Sequence, residues 1–277
     1  EELQQPYHEL YYKDEDGNFW AVCDFIEGSI TYEKADTPAL AYKGGQGIGK
    51  FQAQLSDFTT PLSETIKGFH NIRWRFQQWD EAIAKDAAGR VKDLAEEISW
   101  IESRKDEMLG FWSLVENGTI PTRVTHNDTK ISNILFDAAG EVLCVIDLDT
   151  VMPGLAMHDF GDAIRFAANT AAEDEPDLTK VSLDLVKFKA FSEGFISQTA
   201  GALTDLEIGT MALGALTITI ELASRFLDDY ITGDKYFKTN YEGHNLVRAR
   251  CQLKLAEDMW DKYEQMEQII SSIAYKK

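Results

Sequence analysis

The sequence predicts an α+β protein: a short β-hairpin, then a much larger, mostly helical lobe. Three observations carry this reading. Residues 8–27, HELYYKDEDGNFWAVCDFIE, set the turn pair Asp16-Gly17 between two runs rich in aromatic and β-branched residues. From Pro38 onward apolar residues recur at helical spacing. Between residues 122 and 151 the pattern reverts to short runs of Val, Ile and Leu.

The hairpin strands are expected near 8–13 and 18–26, with Asp24 to Gly28 ending the sheet. Ala41, Ile48, Phe51, Leu55 and Phe58 fall on one face of a helix that starts at Pro38. Further helices are expected over 71–84 and 89–117, and Gly118 and Pro121 punctuate the exit. Val124, Ile134 to Phe136 and Val142 to Ile146 imply short strands, with Ala139-Gly140 as a turn. After Pro153-Gly154 the chain turns helical again. Thr204-Asp205-Leu206-Glu207 has the form of a capping box, so a helix should run over about 205–230. Another is expected over about 245–273, and EDEPD at 173–177 forms an acidic loop.

The 277 residues carry 47 acids against 27 bases, a net charge of −20. Such a surface repels nucleic acid phosphates and anionic membranes, so neither is expected as a partner. It suits a neutral small-molecule substrate better than an anionic one. Cys23, Cys144 and Cys251 are far apart and form no CxxC or Cys/His cluster, which argues against zinc and a disulfide framework. Cys23 and Cys144 sit in apolar runs and are expected to be buried, reduced thiols, consistent with a cytoplasmic location. The longest apolar run, Met211 to Ile220, is too short to span a bilayer, and no signal peptide is expected.

The chemistry concentrates in VTHNDTKISNILFD and VLCVIDLDT. The first puts His126, Asp128 and Asn133 on one loop; the second puts Asp147 and Asp149 at the end of an apolar run. An acid five residues before an Asn, with another acid 14 residues later, is a kinase spacing. Asp128 is the expected general base. Asn133 and Asp147 are the expected Mg²⁺ ligands, since that ion takes one or two protein oxygens beside the phosphates of ATP. Asp149 lies on the same strand face if the strand persists, as a second ligand or a structural partner. His126 is expected to pack and shape the loop, and Lys130 faces the phosphates or stays solvated. GGQGIGKF at 44–51 matches GxxxxGK, but Phe51 stands where Ser or Thr would bind magnesium and no strand precedes it. A helix whose glycines permit close packing is the better reading. No G-x-S-x-G or Cys-x-Pro-x-Arg nucleophile motif occurs.

At these residues the chain resembles the aminoglycoside phosphotransferase/choline kinase superfamily, which implies a protein-kinase-like fold, ATP and Mg²⁺. HNDTK, VIDLDTVMPG, HDFGDAIRF, SRFLDDYITGDKYF and HNLVRARCQ together resemble the N-acetylhexosamine 1-kinases within it. That resemblance implies phosphorylation of the anomeric hydroxyl of N-acetylglucosamine or N-acetylgalactosamine. It makes Arg225 a sugar contact, with an ion pair to Glu221, Asp228 or Asp229 as its other reading, and adds Asn127 and Asp162 to the substrate side. Asp159, Asp162 and Arg165 form a polar cluster more suited to bracing the loop. Asp24, Phe25 and Ile26 resemble the hinge that pairs with adenine. Residues 1–28 then read as a remnant of an N-terminal lobe and hinge, and 29–277 as the helical C-terminal lobe with catalytic loop and substrate site. Only about 23 residues precede the hinge, too few for the family's glycine-rich loop, strand lysine and helix glutamate. With Glu1 in place of Met, this points to a fragment, with little kinase activity expected of these residues alone. Other acceptors (an aminoglycoside, choline, homoserine or methylthioribose) and a non-catalytic sugar or nucleotide sensor are the alternatives. Oligomeric state is not legible.

Overall fold

The computed structural model describes residues 11–199 and 201–275. β1 (Tyr12–Lys13) and β2 (Phe19–Trp20) form an antiparallel hairpin. Asp14 sets its turn, accepting from the Asn18 backbone N–H and from Trp20 Nε1, both at 2.8 Å. The hairpin is shorter than expected: residues 21–26 join no ladder, and residues 8–10 of the expected first strand lie outside the described residues. Nothing described covers the segment after Trp20, so Cys23 is exposed, contrary to expectation, and Phe25 is 84% exposed. Cys144 is half-buried; Cys251 is buried, and burial pushes its thiol up to about 11.

The helical lobe follows as α1 (Pro38–Gln54), α2 (Ile72–Lys85) and α3 (Ala95–Glu116). Then come β3 (Arg123–Thr125), β4 (Ile134–Phe136), β5 (Val142–Val145) and β6 (Met152–Gly154). The chain closes with α4 (Ala156–Ala167), α5 (Leu185–Thr199), α6 (Asp205–Gly209), α7 (Met211–Thr232), α8 (His244–Asp261) and α9 (Tyr263–Ala274). β3 pairs with β6 and β4 with β5, both antiparallel. These two ladders frame the 126–133 and 146–151 loops. Ile30 bridges to Phe136 and fastens the N-terminal segment to β4.

Local chemistry explains where helices start and break. Thr37 Oγ1 caps α1 through Leu40 N at 3.2 Å, with Pro38 at the first helical position. The helix expected from residue 89 begins only at Ala95. Asp86 Oδ1 accepts from Arg90 N and Val91 N, at 2.8 and 3.1 Å, and holds that stretch in a separate turn. The capping box forms as expected: Glu207 N donates to Thr204 Oγ1 at 3.2 Å, and Thr204 N donates to Glu207 Oε2 at 2.8 Å. The helix after it is divided at Thr210, whose hydroxyl bonds back to Leu206 O at 2.8 Å. The last expected helix likewise divides at Lys262, whose Nζ bonds Leu183 O at 2.8 Å.

GGQGIGKF lies inside α1 and makes no phosphate loop. Its glycines let α1 and α5 touch backbone to backbone. A Cβ on Gly49 would stand 2.6 Å from Phe195 O, and one on Gly45 would overlap Phe191 O. Across the interface Gly194 lies as tightly against Tyr42 O. Below this contact Phe160 of α4 meets Phe188, Phe191 and Phe195 with ring centroids 6.0, 5.8 and 5.4 Å away. α7, buried along most of its length, packs on α2, α4 and α8 and forms the axis of the lobe. Among the described residues no helix is long and apolar enough to cross a membrane.

Candidate active site

α4 holds the 126–133 loop by its backbone. Asp159, fully buried, accepts from His126 N and Asn127 N, each at 2.8 Å, and from Gln52 Nε2 at 2.6 Å. Burial pushes its carboxyl up, against the pull of these donors. Asp162 accepts from Thr129 N at 2.8 Å and pairs with Arg165 at 2.9 Å. Asp162 is 6% exposed with both oxygens engaged, so it stands as a brace and not as an open sugar contact. Asn127 is also closed off. Its backbone is left-handed at φ +65°, and its amide donates to Thr125 O and Thr150 O at 3.2 and 2.9 Å. His126 Nδ1 accepts from Asp128 N at 3.3 Å, which leaves Nε2–H to donate to Ile146 O at 2.9 Å. Its ring packs edge-on against Phe51 at 5.6 Å, so it shapes the loop.

Asp128 emerges from this frame half-buried. Its Oδ2 accepts from Lys130 Nζ at 2.8 Å and from Asn133 Nδ2 at 3.2 Å. Oδ1 has no hydrogen-bond partner among the described residues. Burial pulls the Lys130 ammonium down, but Asp128, Asp147 and Asp162 together hold it above the usual lysine value. Asn133 spends its amide nitrogen on Asp128, donating to the carbonyl at 2.9 Å, so its oxygen is the atom left over. Ile146 N donates to Asn133 O at 2.9 Å and brings the second motif alongside. Asp147 then takes a left-handed backbone, φ +61° and ψ +58°, with an exposed carboxylate. The Asn133 and Asp147 oxygens are hard donors of the kind Mg²⁺ takes. Among the described residues no three His, Cys, Asp or Glu groups form a metal cage. Asp149 is not on a shared strand face: β5 ends at Val145, and 148–150 coil into a 3₁₀ turn with Asp149 exposed. Asp24, Phe25 and Ile26 are exposed in an irregular segment.

Arg225 lies elsewhere, in a cavity of about 330 Å³ between α2, α7 and the loop after α7. Arg75, Asp228, Asp229, Tyr236 and Phe237 also line it. Arg225 is 7% exposed; its guanidinium lies 4.8 Å over Phe69 and 3.7 Å from Glu221. Burial pushes Glu221 up, but Arg225, His70 and Arg75 outweigh it and hold the carboxyl at about 2. Asp229 organises the following loop, accepting from the backbone N–H of Lys235, Tyr236 and Phe237 at 2.7, 2.8 and 2.9 Å. Asp228 has a buried Oδ1 with no partner, and burial pushes its carboxyl up to about 8. Asp128 does not line the cavity; His70 links the two, between Asn127 O at 3.2 Å and Glu221 at 3.3 Å. Sequence reasoning did not single out His70 and Arg75. Neither stands in a motif, and both are defined by contacts to α7 about 150 residues away.

Residues 5–185 match the phosphotransferase enzyme family (APH). The chain belongs to that family. This phosphotransferase is also similar in structure to a Plasmodium vivax ethanolamine kinase (TM-score 0.57, 16% identity, covering 88% of this chain and 67% of that one). A choline/ethanolamine kinase family protein from Mesorhizobium loti matches at TM-score 0.53 and 12% identity, over 94% and 76% of the two chains. Choline kinase from Cryptosporidium parvum matches at 0.53 and 14%, over 96% and 76%. The phosphotransferase thus has the protein-kinase-like fold of these enzymes, mostly helical, with few short strands.

Proposed function

We propose that this chain is the catalytic and acceptor-binding lobe of an ATP-dependent kinase that phosphorylates the anomeric hydroxyl of an N-acetylhexosamine. The observation that supports the acceptor class is the cavity: two largely buried guanidiniums, Arg75 and Arg225, line it together with the carboxyl of Asp228 and the ring of Tyr236. Planar donors beside an acceptor suit neighbouring hydroxyl and amide groups on a neutral ring. The same guanidiniums repel an ammonium, which argues against choline and aminoglycosides.

In this reading Asp128 Oδ1 takes the proton of the acceptor hydroxyl as it attacks the γ-phosphorus. Asn133 and Asp147 hold Mg²⁺, with Asp149 as a second ligand or an outer partner. The ion would neutralise charge on the phosphates. Lys130 keeps Asp128 oriented and adds positive charge beside the transferring group. The backbone at Asp24 to Ile26 serves as the adenine hinge, and residues 1–28 as the remnant of an N-terminal lobe. A second reading, a kinase for a small amino alcohol, draws on Asp228, Asp229, Glu81 and the aromatic wall of Tyr236 and Phe237.

The test is ATP turnover by the complete open reading frame, alongside residues 1–277, against N-acetylhexosamines, plain hexoses, choline, ethanolamine and aminoglycosides. Turnover of N-acetylhexosamines, lost in Arg225→Ala through a higher KM, supports the reading. Turnover of an amino alcohol but no sugar replaces it with the second. Nucleotide or sugar binding with no turnover on any acceptor marks a non-catalytic binding protein.

A further inference from the structure

His70 bridges the catalytic loop and Glu221, the ion-pair partner of the cavity residue Arg225. Its Nε2 lies 3.2 Å from the carbonyl oxygen of Asn127 and its Nδ1 lies 3.3 Å from Glu221 Oε2. A carbonyl only accepts, and so does a carboxylate that its neighbours keep ionised. Both ring nitrogens therefore face acceptor oxygens, and the ring bridges the carboxylate and the loop carbonyl. The groups around it come from several elements. Glu221 and Arg225 come from α7, Arg75 from α2 and His158 from α4; Glu64 precedes it, bonded to Gly68 N at 3.2 Å. His158, 6.2 Å away, is neutral, since burial and the charge on His70 push it down to about 3. Glu221 is the charge that balances the cluster: Arg75 Nε lies 3.1 Å and Arg225 Nη1 3.7 Å from its Oε1, opposite the oxygen that faces His70.

The other end of the bridge is equally specific. Asn127 is left-handed, and its carbonyl belongs to the peptide that carries Asp128 N. An orientation of that peptide is an orientation of Asp128. Holding the carbonyl fixes the direction in which the Asp128 side chain leaves the loop.

We propose that His70 is a positioning residue that couples the acceptor cavity to the general base, through the Arg225–Glu221 ion pair and the hydrogen bonds of His70 to Glu221 and the Asn127 carbonyl. This rests on the acceptor reading of the cavity. An acceptor that takes hydrogen bonds from Arg225 withdraws part of that guanidinium from Glu221. Glu221 then binds His70 more strongly, and the Asn127–Asp128 peptide is held more firmly when an acceptor is present.

The test compares the full chain with His70→Gln, Glu221→Gln and the double variant. Nitrogen-15 histidine spectra of the wild type are expected to show a hydrogen-bonded proton on His70 Nε2. In His70→Gln, amide exchange at residues 126–130 is expected to quicken about 10-fold, with α3 and α8 unchanged, as for loss of one charge-assisted hydrogen bond. Calorimetry should find acceptor Kd within about threefold of wild type while kcat falls about 10-fold, and the double variant should be no slower than the slower single one. A His70 Nε2 without a proton, unchanged exchange at 126–130, additive losses in kcat, or a loss wholly in Kd would each overturn the bridge. If no acceptor is turned over at all, the proposed function fails by itself, and the spectra and exchange rates still decide the role of His70.

Discussion

Asp128, Glu221 and Asp228 are three carboxylates whose surroundings push them to different tasks. Asp128 keeps one oxygen tied to Lys130 and Asn133 and the other without a partner, as a base needs. Asp128→Asn should keep the fold and lower turnover by at least about 10²-fold, read as kcat on the best acceptor; near-normal turnover would remove Asp128 from the role. Glu221 is depressed from 4.5 to about 2, so its contribution to stability is complete above pH 4.5 and fades as pH falls toward 2. Glu221→Gln at pH 7 leaves Arg75 and Arg225 without their buried counter-ion and should cost about 3–5 kcal/mol in denaturant titration. Asp228 runs the other way. The folded chain keeps a proton that the unfolded chain releases between pH 3.8 and about 8, so stability falls as pH rises through that window. The melting temperature of Asp228→Asn should therefore exceed wild type by more at pH 8 than at pH 5. An equal difference at both would show that Asp228 is not held protonated.

At the scale of elements, the α1–α5 contact and the two small ladders decide the geometry. Gly49→Ala puts a methyl 2.6 Å from Phe195 O, against backbone that cannot yield. It should cost about 1–3 kcal/mol by thermal denaturation, although alanine is the better helix former in isolation. This reversal explains why GGQGIGKF looks like a phosphate loop and is none: its glycines answer a tertiary contact. The helices were legible from apolar periodicity and from caps such as Thr204 and Glu207, which act within four residues. The interruption at Lys262 was not, because Lys262 is held by Leu183, 79 residues away. The extent of the hairpin was over-read for the same reason. Its apolar run suggested pairing, but no described partner covers residues 21–26.

At the scale of the molecule, the charge of −20 and the exposed N-terminal segment stand out. Residues 11–28 bury almost nothing, and the first firm tie to the lobe is Ile30 on Phe136. Removing residues 1–28 should shift the melting temperature by less than about 4 °C, since a loss of 1 kcal/mol moves a chain of this size by only about that much. A larger drop would show that the segment is part of the core. The site obeys the same division between near and far. Sequence alone determined the α+β class and the family resemblance and singled out Asp128, Asn133 and Asp147 as candidates, because a loop's spacing and an apolar run's end are local properties of the chain. Tertiary structure decided that Asn127 and Asp162 brace the loop, that Asp149 leaves the strand, and that Arg75, Arg225, Asp228 and Tyr236 enclose one cavity tied to the loop by His70. Most of those facts depend on which groups meet across 23 to 151 residues of chain, which no local pattern records, and burial favours pairing where they meet.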